Sequence, residues 1–155
     1  MVDDTSKGRA GMQSVLFVCT HNSARSQMAE GLLRHMYGDS YQASSGGTSP
    51  TRVQPHALKV MKEIGIDISG QCAKDIRSFD GKSFDYVVTL CDRARGSCPF
   101  FAGAREYVHK GFEDPAAAVG SEEKSLAAFR RVRDQIREWI EERFGGGAVS
   151  RGNAG

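Results

Sequence analysis

No apolar run in this sequence approaches the roughly 20 residues a membrane span requires, and residues 1–13 are polar, without the apolar core of an export signal. Charge of one sign is equally scarce. The 21 Lys and Arg stand against 19 Asp and Glu, interspersed along the chain, for a net +2. That balance argues against a nucleic-acid or membrane partner. Cysteine is too sparse, at four in 155 residues, for a secreted disulfide scaffold. Without an export signal the four are expected to be cytoplasmic thiols, catalytic rather than structural. There are no internal repeats. What remains, 39% hydrophobic and 26% charged residues, is the composition of one soluble globular domain. It is expected over residues 14–144, between a flexible N-terminal tail (1–13) and a disordered C-terminal tail (145–155).

The patterned elements alternate. Val15-Leu16-Phe17-Val18 is an apolar strand ending at Cys19, and Ala24, Met28, Ala29, Leu32, Leu33 and Met36 then recur at helical spacing up to Gly38. Residues 41–45 form a weak strand, expected from the alternation more than from propensity, ahead of a loop at Gly46–Pro50. Ala57, Leu58, Met61 and Ile64 mark a second helix, with Pro55 near its start and Gly65 past its end. A short helix is expected around 76–79. Phe84 to Leu90 has the near-continuous apolar run of a parallel strand covered on both faces. Ala104 to Val108 reads as an edge strand. Leu126, Phe129, Val132, Ile136, Trp139 and Ile140 stripe the last helix, whose opposite face, rich in Arg and Glu, is expected to be solvated. The alternation predicts an α/β fold, a three-layer doubly wound four-stranded parallel sheet with right-handed crossovers. The loop after strand one then lies at the carboxyl edge, where such sheets bind ligands.

That loop carries the chemistry. Cys19-Thr20-His21-Asn22-Ser23-Ala24-Arg25-Ser26 runs from strand to helix with the spacing C-x5-R-S. The backbone N–H groups of Thr20 to Ser26, the helix N-terminus and the planar fork of Arg25 make an anion cradle. A cysteine at its centre is a nucleophile facing a tetrahedral oxyanion. Ser26 is placed to hydrogen-bond the Cys19 sulfur. Asn22 tolerates positive φ and is expected to shape the turn, with Ser23 doing similar work less specifically. His21 has no evident partner and is expected to be exposed and uninvolved.

Two further stretches bear on this loop. Gly111-Phe112-Glu113-Asp114-Pro115 offers a proton donor for a leaving oxygen, with Asp114 first choice and Glu113 second. Taken alone, it reads better as an Asp-Pro turn between a strand and a helix, and only the Cys19 loop lifts the catalytic reading above it. Cys91 and Cys98 form a C-x6-C pair directly after strand three. This is not zinc spacing, and only His109 and Cys72 are available to complete such a site, so no metal centre is expected. If strand three lies beside strand one, Cys91 comes to the same sheet edge as Cys19. Two buried bystander thiols are the plainer alternative.

C-x-x-N-x-x-R-S after a first strand resembles the phosphate loop of the low-molecular-weight protein tyrosine phosphatase fold, over about Ser14 to Phe144. The downstream C-x6-C pair ahead of a proline resembles its thioredoxin-coupled arsenate reductase branch. The resemblance implies the strand order 2-1-3-4 and Asp114 as general acid. It also implies a relay in which Cys19 attacks arsenate, Cys91 attacks Cys19 as arsenite leaves, and Cys98 then takes over the disulfide. Thioredoxin, or a glutaredoxin-type reductant, restores the thiols. Cys72 has no counterpart in that scheme. Some relatives bind a potassium ion behind the loop. Asn22, Glu30 and Ser45 match three of its ligand positions, but Lys74 stands at the fourth, with Asp75 adjacent, where its ammonium can replace the metal. A helix-surface Glu30 and an exposed Lys74 are an equally open reading. Two other functions remain open. One is a phosphotyrosine or small phosphomonoester phosphatase using Cys19, Arg25 and Asp114, against which Ala116-Ala117-Ala118 stand where such enzymes usually carry an aromatic residue. The other is an oxyanion-binding or redox-sensing module with Cys19 as a reversible switch.

Overall fold

The computed structural model describes residues 12–91 and 101–145. Its elements alternate in chain order: β1 (Gln13–Cys19), α1 (Arg25–Tyr37), β2 (Tyr41–Gly47), α2 (Pro55–Glu63), a 3-10 turn (Ile76–Phe79), β3 (Phe84–Thr89), β4 (Ala104–His109), a second 3-10 turn (Pro115–Ala117) and α3 (Glu122–Ile140). The four strands form one sheet in the order β2-β1-β3-β4, every pair parallel. No helix among the described residues is long and apolar enough to cross a membrane. Of the expected tails, 1–11 and 146–155 lie outside the described residues, while Gln13 opens β1 and Gly145 ends the last turn.

β1 is the spine of the sheet, and its side chains alternate between two cores. Val15 and Phe17 join the larger one, with Met28, Leu32 and Leu33 of α1, Val60 and Met61 of α2, and Phe129, Val132 and Ile136 of α3. Leu16 and Val18 face the smaller one, closed by Ile76, Phe79, Phe84, Val87 and Phe101. Every residue from Val15 to Val18 is wholly buried, which is why the strand reads as an unbroken apolar run.

β2 is the element whose own residues argue least for a strand. Tyr-Gln-Ala-Ser-Ser-Gly-Gly pairs along the whole of β1, from Gln13 opposite Tyr41 to Cys19 opposite Gly47. The strand therefore runs two residues past the predicted end. Tertiary pairing overrides the poor propensity of Ser and Gly here. Small residues are required because the 3-10 turn crosses close by: a Cβ on Gly46 would lie 3.2 Å from the Phe79 ring and 3.3 Å from Ile76 Cα.

α3 starts at a Ser121 cap that accepts the Lys124 N–H (3.2 Å), with Glu122 and Glu123 in the first turn where the helix dipole favours acid. Its polar face departs from expectation at one residue. Arg133 is buried, donating to Val60 O (2.8 Å) and Glu63 Oε1 (3.0 Å), so it ties α3 to α2 rather than facing water. The chain leaves α3 through a π-helical turn, Glu141–Gly145, which brings Phe144 edge-on to Tyr41 (ring centroids 4.9 Å apart) beneath the sheet edge.

Candidate active site

β1 ends at Cys19, and the turn to α1 is made by five residues, Thr20 to Ala24. Asn22 holds φ at +49°, the left-handed conformation that asparagine tolerates better than most residues. The carbonyls of this turn are tied outward. Thr20 O accepts from Ser49 N–H (2.9 Å), His21 O from Thr51 N–H (3.1 Å) and Ser23 O from Gln54 N–H (2.9 Å). Asn22 O accepts from the Gln27 side chain (2.9 Å) and Ala24 O from Met28 N–H (2.9 Å). With its oxygens engaged outside, the turn offers N–H groups to its concave side. The N-terminus of α1 has no side-chain cap to compete for them.

Behind the turn a hydrogen-bond chain leads to the sulfur. The backbone N–H of Lys74 can only donate, and it donates to Asn22 Oδ1 (2.8 Å), which fixes the Asn22 amide with its nitrogen toward Ser26. Asn22 Nδ2 donates to Ser26 Oγ (2.8 Å). With that lone pair taken, the Ser26 hydroxyl proton is available to Cys19 Sγ, 3.4 Å away. Asn22 and Ser26 are wholly buried, and Cys19 is 2% exposed.

In front of the turn is a cavity of about 350 Å³ lined by Cys19, His21, Ser23, Ala24, Arg25, Thr51, Arg52, Gln54, Asp114 and Ala116. Arg25 reaches across it. Its Nη1 donates to Phe112 O (3.0 Å) and its Nη2 lies 3.9 Å from Asp114 Oδ2. Its Nε is buried without a hydrogen-bond partner among the described residues. A buried guanidinium N–H left open beside a cradle of backbone donors is what an incoming oxyanion satisfies. Asp114 also caps the 3-10 turn, accepting the Ala116 N–H (3.0 Å). Glu113 turns away, paired with Arg131 at 2.7 Å, and this hydrogen bond holds its carboxyl below the usual glutamate range.

Of the residues singled out in the sequence, Cys19, Arg25 and Asp114 therefore meet at one cavity, while Asn22 and Ser26 lie behind it. His21 is exposed, as expected, though at the cavity rim. Cys91 lies one residue past Leu90, whose N–H bonds Val18 O (3.0 Å), so β3 delivers it to the edge where β1 delivers Cys19. Cys91 is 6% exposed and disulfide-bonded, whereas Cys19 and Cys72 are free thiols. Cys98 lies outside the described residues. Among the described residues no group of His, Cys, Asp and Glu is arranged to hold a metal ion.

The positions compared with a potassium site do assemble, around a different cation. Glu30 is buried. Its Oε1 accepts from Ser45 Oγ (2.5 Å) and faces Lys74 Nζ at 3.8 Å, and its other oxygen pairs with Arg34. Lys74 Nζ also donates to Cys72 O (2.8 Å). Asn22 Oδ1 is already taken by two N–H donors. An ammonium and a guanidinium already supply the positive charge, and this donor set does not fit a potassium ion.

Sequence reasoning missed Thr51, Arg52, Gln54 and Ala116 on the cavity wall, and Gln27 and Gln71 behind the turn. The Gly46–Pro50 loop signal was the one available pointer to the first three, since a segment following β2 at the carboxyl edge runs beside the turn after β1.

The sequence profile of the low molecular weight phosphotyrosine protein phosphatase family matches residues 14–145. The chain belongs to that family. An arsenate reductase of Halalkalibacterium halodurans is 48% identical over 122 residues, 79% of this chain and 88% of that protein. A solved arsenate reductase in its phosphate-binding state superposes with a TM-score of 0.73 at 37% identity, over 84% of this chain and 95% of the other. A thioredoxin-dependent arsenate reductase of Corynebacterium glutamicum superposes with a TM-score of 0.60 at 28% identity, over 90% of this chain and 66% of that one. The sheet and the turn from Cys19 to Arg25 lie within the residues the family profile matches, and the buried cysteine at the same sheet edge, Cys91, is the feature to explain.

Proposed function

We propose that this protein is an arsenate reductase that works through a three-cysteine relay and is regenerated by thioredoxin. The observation that carries the reading is the buried Cys91 at the same sheet edge as Cys19, in a chain whose relatives include named arsenate reductases. Arsenate enters the cradle, its oxygens received by the N–H groups of residues 20–26 and by Arg25. The Cys19 sulfur displaces one hydroxide from arsenic, and Asp114 supplies the proton that lets it leave as water. Asp114 suits this role because it lines the cavity beside Arg25, whereas Glu113 is held ionised by Arg131. Cys91, which enters the cycle as a thiol once its disulfide has been reduced, then attacks the Cys19 sulfur. The sulfur–arsenic bond breaks with its electron pair left on arsenic, so arsenic(V) becomes arsenic(III) and departs as arsenite, leaving a Cys19–Cys91 disulfide. Cys98 attacks Cys91 and releases the Cys19 thiolate, and the resulting Cys91–Cys98 disulfide is reduced by a dithiol. In sum, two thiols give up two electrons and two protons, and arsenate becomes arsenite and water.

Thioredoxin is the reductant this reading assigns, supported by the thioredoxin-dependent relative, and a cytoplasmic setting keeps the resting thiols reduced. The same cavity supports slow phosphomonoester hydrolysis as a side reaction, because Cys19, Arg25 and Asp114 suffice for it. The test is steady-state NADPH consumption with arsenate, thioredoxin and thioredoxin reductase. Turnover is expected with thioredoxin. Turnover with a glutaredoxin system alone would replace the reductant, and none with either would overturn the reading.

A further inference from the structure

We propose that Gln27 is a positioning residue for this reaction. Its buried amide clamps Asn22 in the left-handed conformation and so keeps the hydrogen bonds behind the turn directed at the Cys19 sulfur. The inference rests on Cys19 being the nucleophile.

Gln27 is wholly buried on the first turn of α1 and does not line the cavity, so it acts through its neighbours. Its Nε2 carries two hydrogens and faces three oxygens: Asn22 O (2.9 Å), Asn22 Oδ1 (2.9 Å) and Cys72 O (3.0 Å). Two of these belong to the one non-glycine residue with positive φ among the described residues. The clamp therefore holds both the backbone carbonyl and the side chain of the residue whose conformation is least favourable by itself. It also ties the turn to the segment that carries Lys74, whose N–H shares Asn22 Oδ1.

The direction of the amide is fixed from the far side. Arg34 can only donate, and its Nη1 donates to Gln71 Oε1 (2.9 Å). Gln71 Nε2 is thereby turned to Gln27, donating to its Oε1 (2.7 Å) and its backbone O (3.1 Å). The donors then run in one sense, from Arg34 through Gln71, Gln27 and Asn22 to Ser26, and end on Cys19 Sγ. Aligned donors of this kind polarise one another in a dry interior, and negative charge on the terminal atom is what they favour.

Two near-isosteric substitutions test this, each compared with wild type. Gln27→Met removes the donor, and Gln71→Met, at a half-buried position, removes the group that orients it. The readouts are the rate of Cys19 alkylation by iodoacetamide at fixed pH, resolved by peptide mass, and the kcat for arsenate. The inhibition constant of inorganic phosphate and the melting temperature are measured alongside. Loss of one directed hydrogen bond predicts about a tenfold fall in both alkylation rate and kcat for Gln27→Met. A fall of about threefold is expected for Gln71→Met, because one bond in the chain is weakened rather than lost. Phosphate inhibition should change less than about twofold, since Arg25 and the backbone cradle make those contacts. Unchanged alkylation and kcat overturn the proposal. So does a parallel loss of phosphate binding, which would mean that Gln27 merely holds the turn together. If Gln27→Met does not fold, Gln71→Met decides on the same criteria. Failure of the underlying reading is separately visible, as arsenate turnover by Cys19→Ser.

Discussion

Replacing Gly47 by alanine should damage the site more than any other single methyl group placed at a glycine of β2. Gly47 closes β2 directly opposite Cys19 in the parallel register. A Cβ there would lie 2.5 Å from Thr20 O, 2.8 Å from Cys19 O and 3.0 Å from Asn22 N. All three are backbone atoms of the anion-binding turn, so no side chain can rotate away. Thr20 O is moreover held from the other side by Ser49 N–H at 2.9 Å, and Gly47 N–H is held by Lys74 O at 2.9 Å. The shortest contact falls 0.9 Å below the 3.4 Å at which contact becomes ordinary. The turn and the strand must therefore separate by about that much. Overpacking of this kind costs about 1–3 kcal/mol. A displacement of about 1 Å in a reacting group costs about a hundredfold in rate. Urea unfolding and the thioredoxin-coupled arsenate assay measure the two effects. Gly70→Ala is the control, because nothing lies within 4 Å of its Cβ position and its φ is not positive, so it should be neutral or slightly stabilising. A Gly47→Ala protein as stable and as active as wild type would refute the close-approach argument.

Arg25→Lys should leave the fold intact but reduce arsenate turnover by about a hundredfold, since a point charge replaces a two-pronged donor; near-normal kinetics would mean that the oxyanion is held elsewhere. Cys91→Ser should lose arsenate reduction yet retain slow hydrolysis of an activated aryl phosphate, and catalytic arsenate reduction by this variant would make another thiol, Cys72 first, the start of the relay. Cys98→Ser should release about one equivalent of arsenite and then stall as a Cys19–Cys91 disulfide, detectable by peptide mapping, because thioredoxin attacks only an accessible sulfur. Glu63 is held below the ordinary glutamate value of 4.5 chiefly by its hydrogen bond to Arg130, so its contribution is present above that value and is lost as pH falls through the lower folded value. The melting temperature of Glu63→Gln should accordingly fall less on acidification than that of wild type, and an equal fall would remove the pair from the acid response.

What could be read from the sequence, and what could not, divides along a physical line. Burial of apolar surface leaves a period in the chain, and the elements with a period were legible: the run from Val15 to Val18, the stripe on α3, and the strand at Phe84. The turn from Cys19 to Ser26 was legible for a second reason, because its chemistry and its backbone geometry are local and sit within one short stretch. β2 was legible only in outline, since what makes Gly46 and Gly47 strand residues is how closely the 3-10 turn and the anion-binding turn approach them. The buried polar groups leave no such trace. Gln27 and Gln71 stand 44 residues apart, and Asn22 and the Lys74 N–H stand 52 apart. A hydrogen bond between them depends on the course of residues 66–75, which have no helical or strand period to announce where they run. Glu30 shows the cost of this most clearly. By position alone it fits an exposed acid on a helix, yet the fold buries it against Ser45, Arg34 and Lys74. A lone carboxylate could not be buried there; two cations and a hydroxyl make it tolerable. Whether a polar side chain belongs to the surface or to the support of a site is thus decided by partners far away in the chain. In this protein those partners converge behind a single loop, where the one non-glycine residue with a positive φ among the described residues is also the one that directs a hydroxyl at the sulfur.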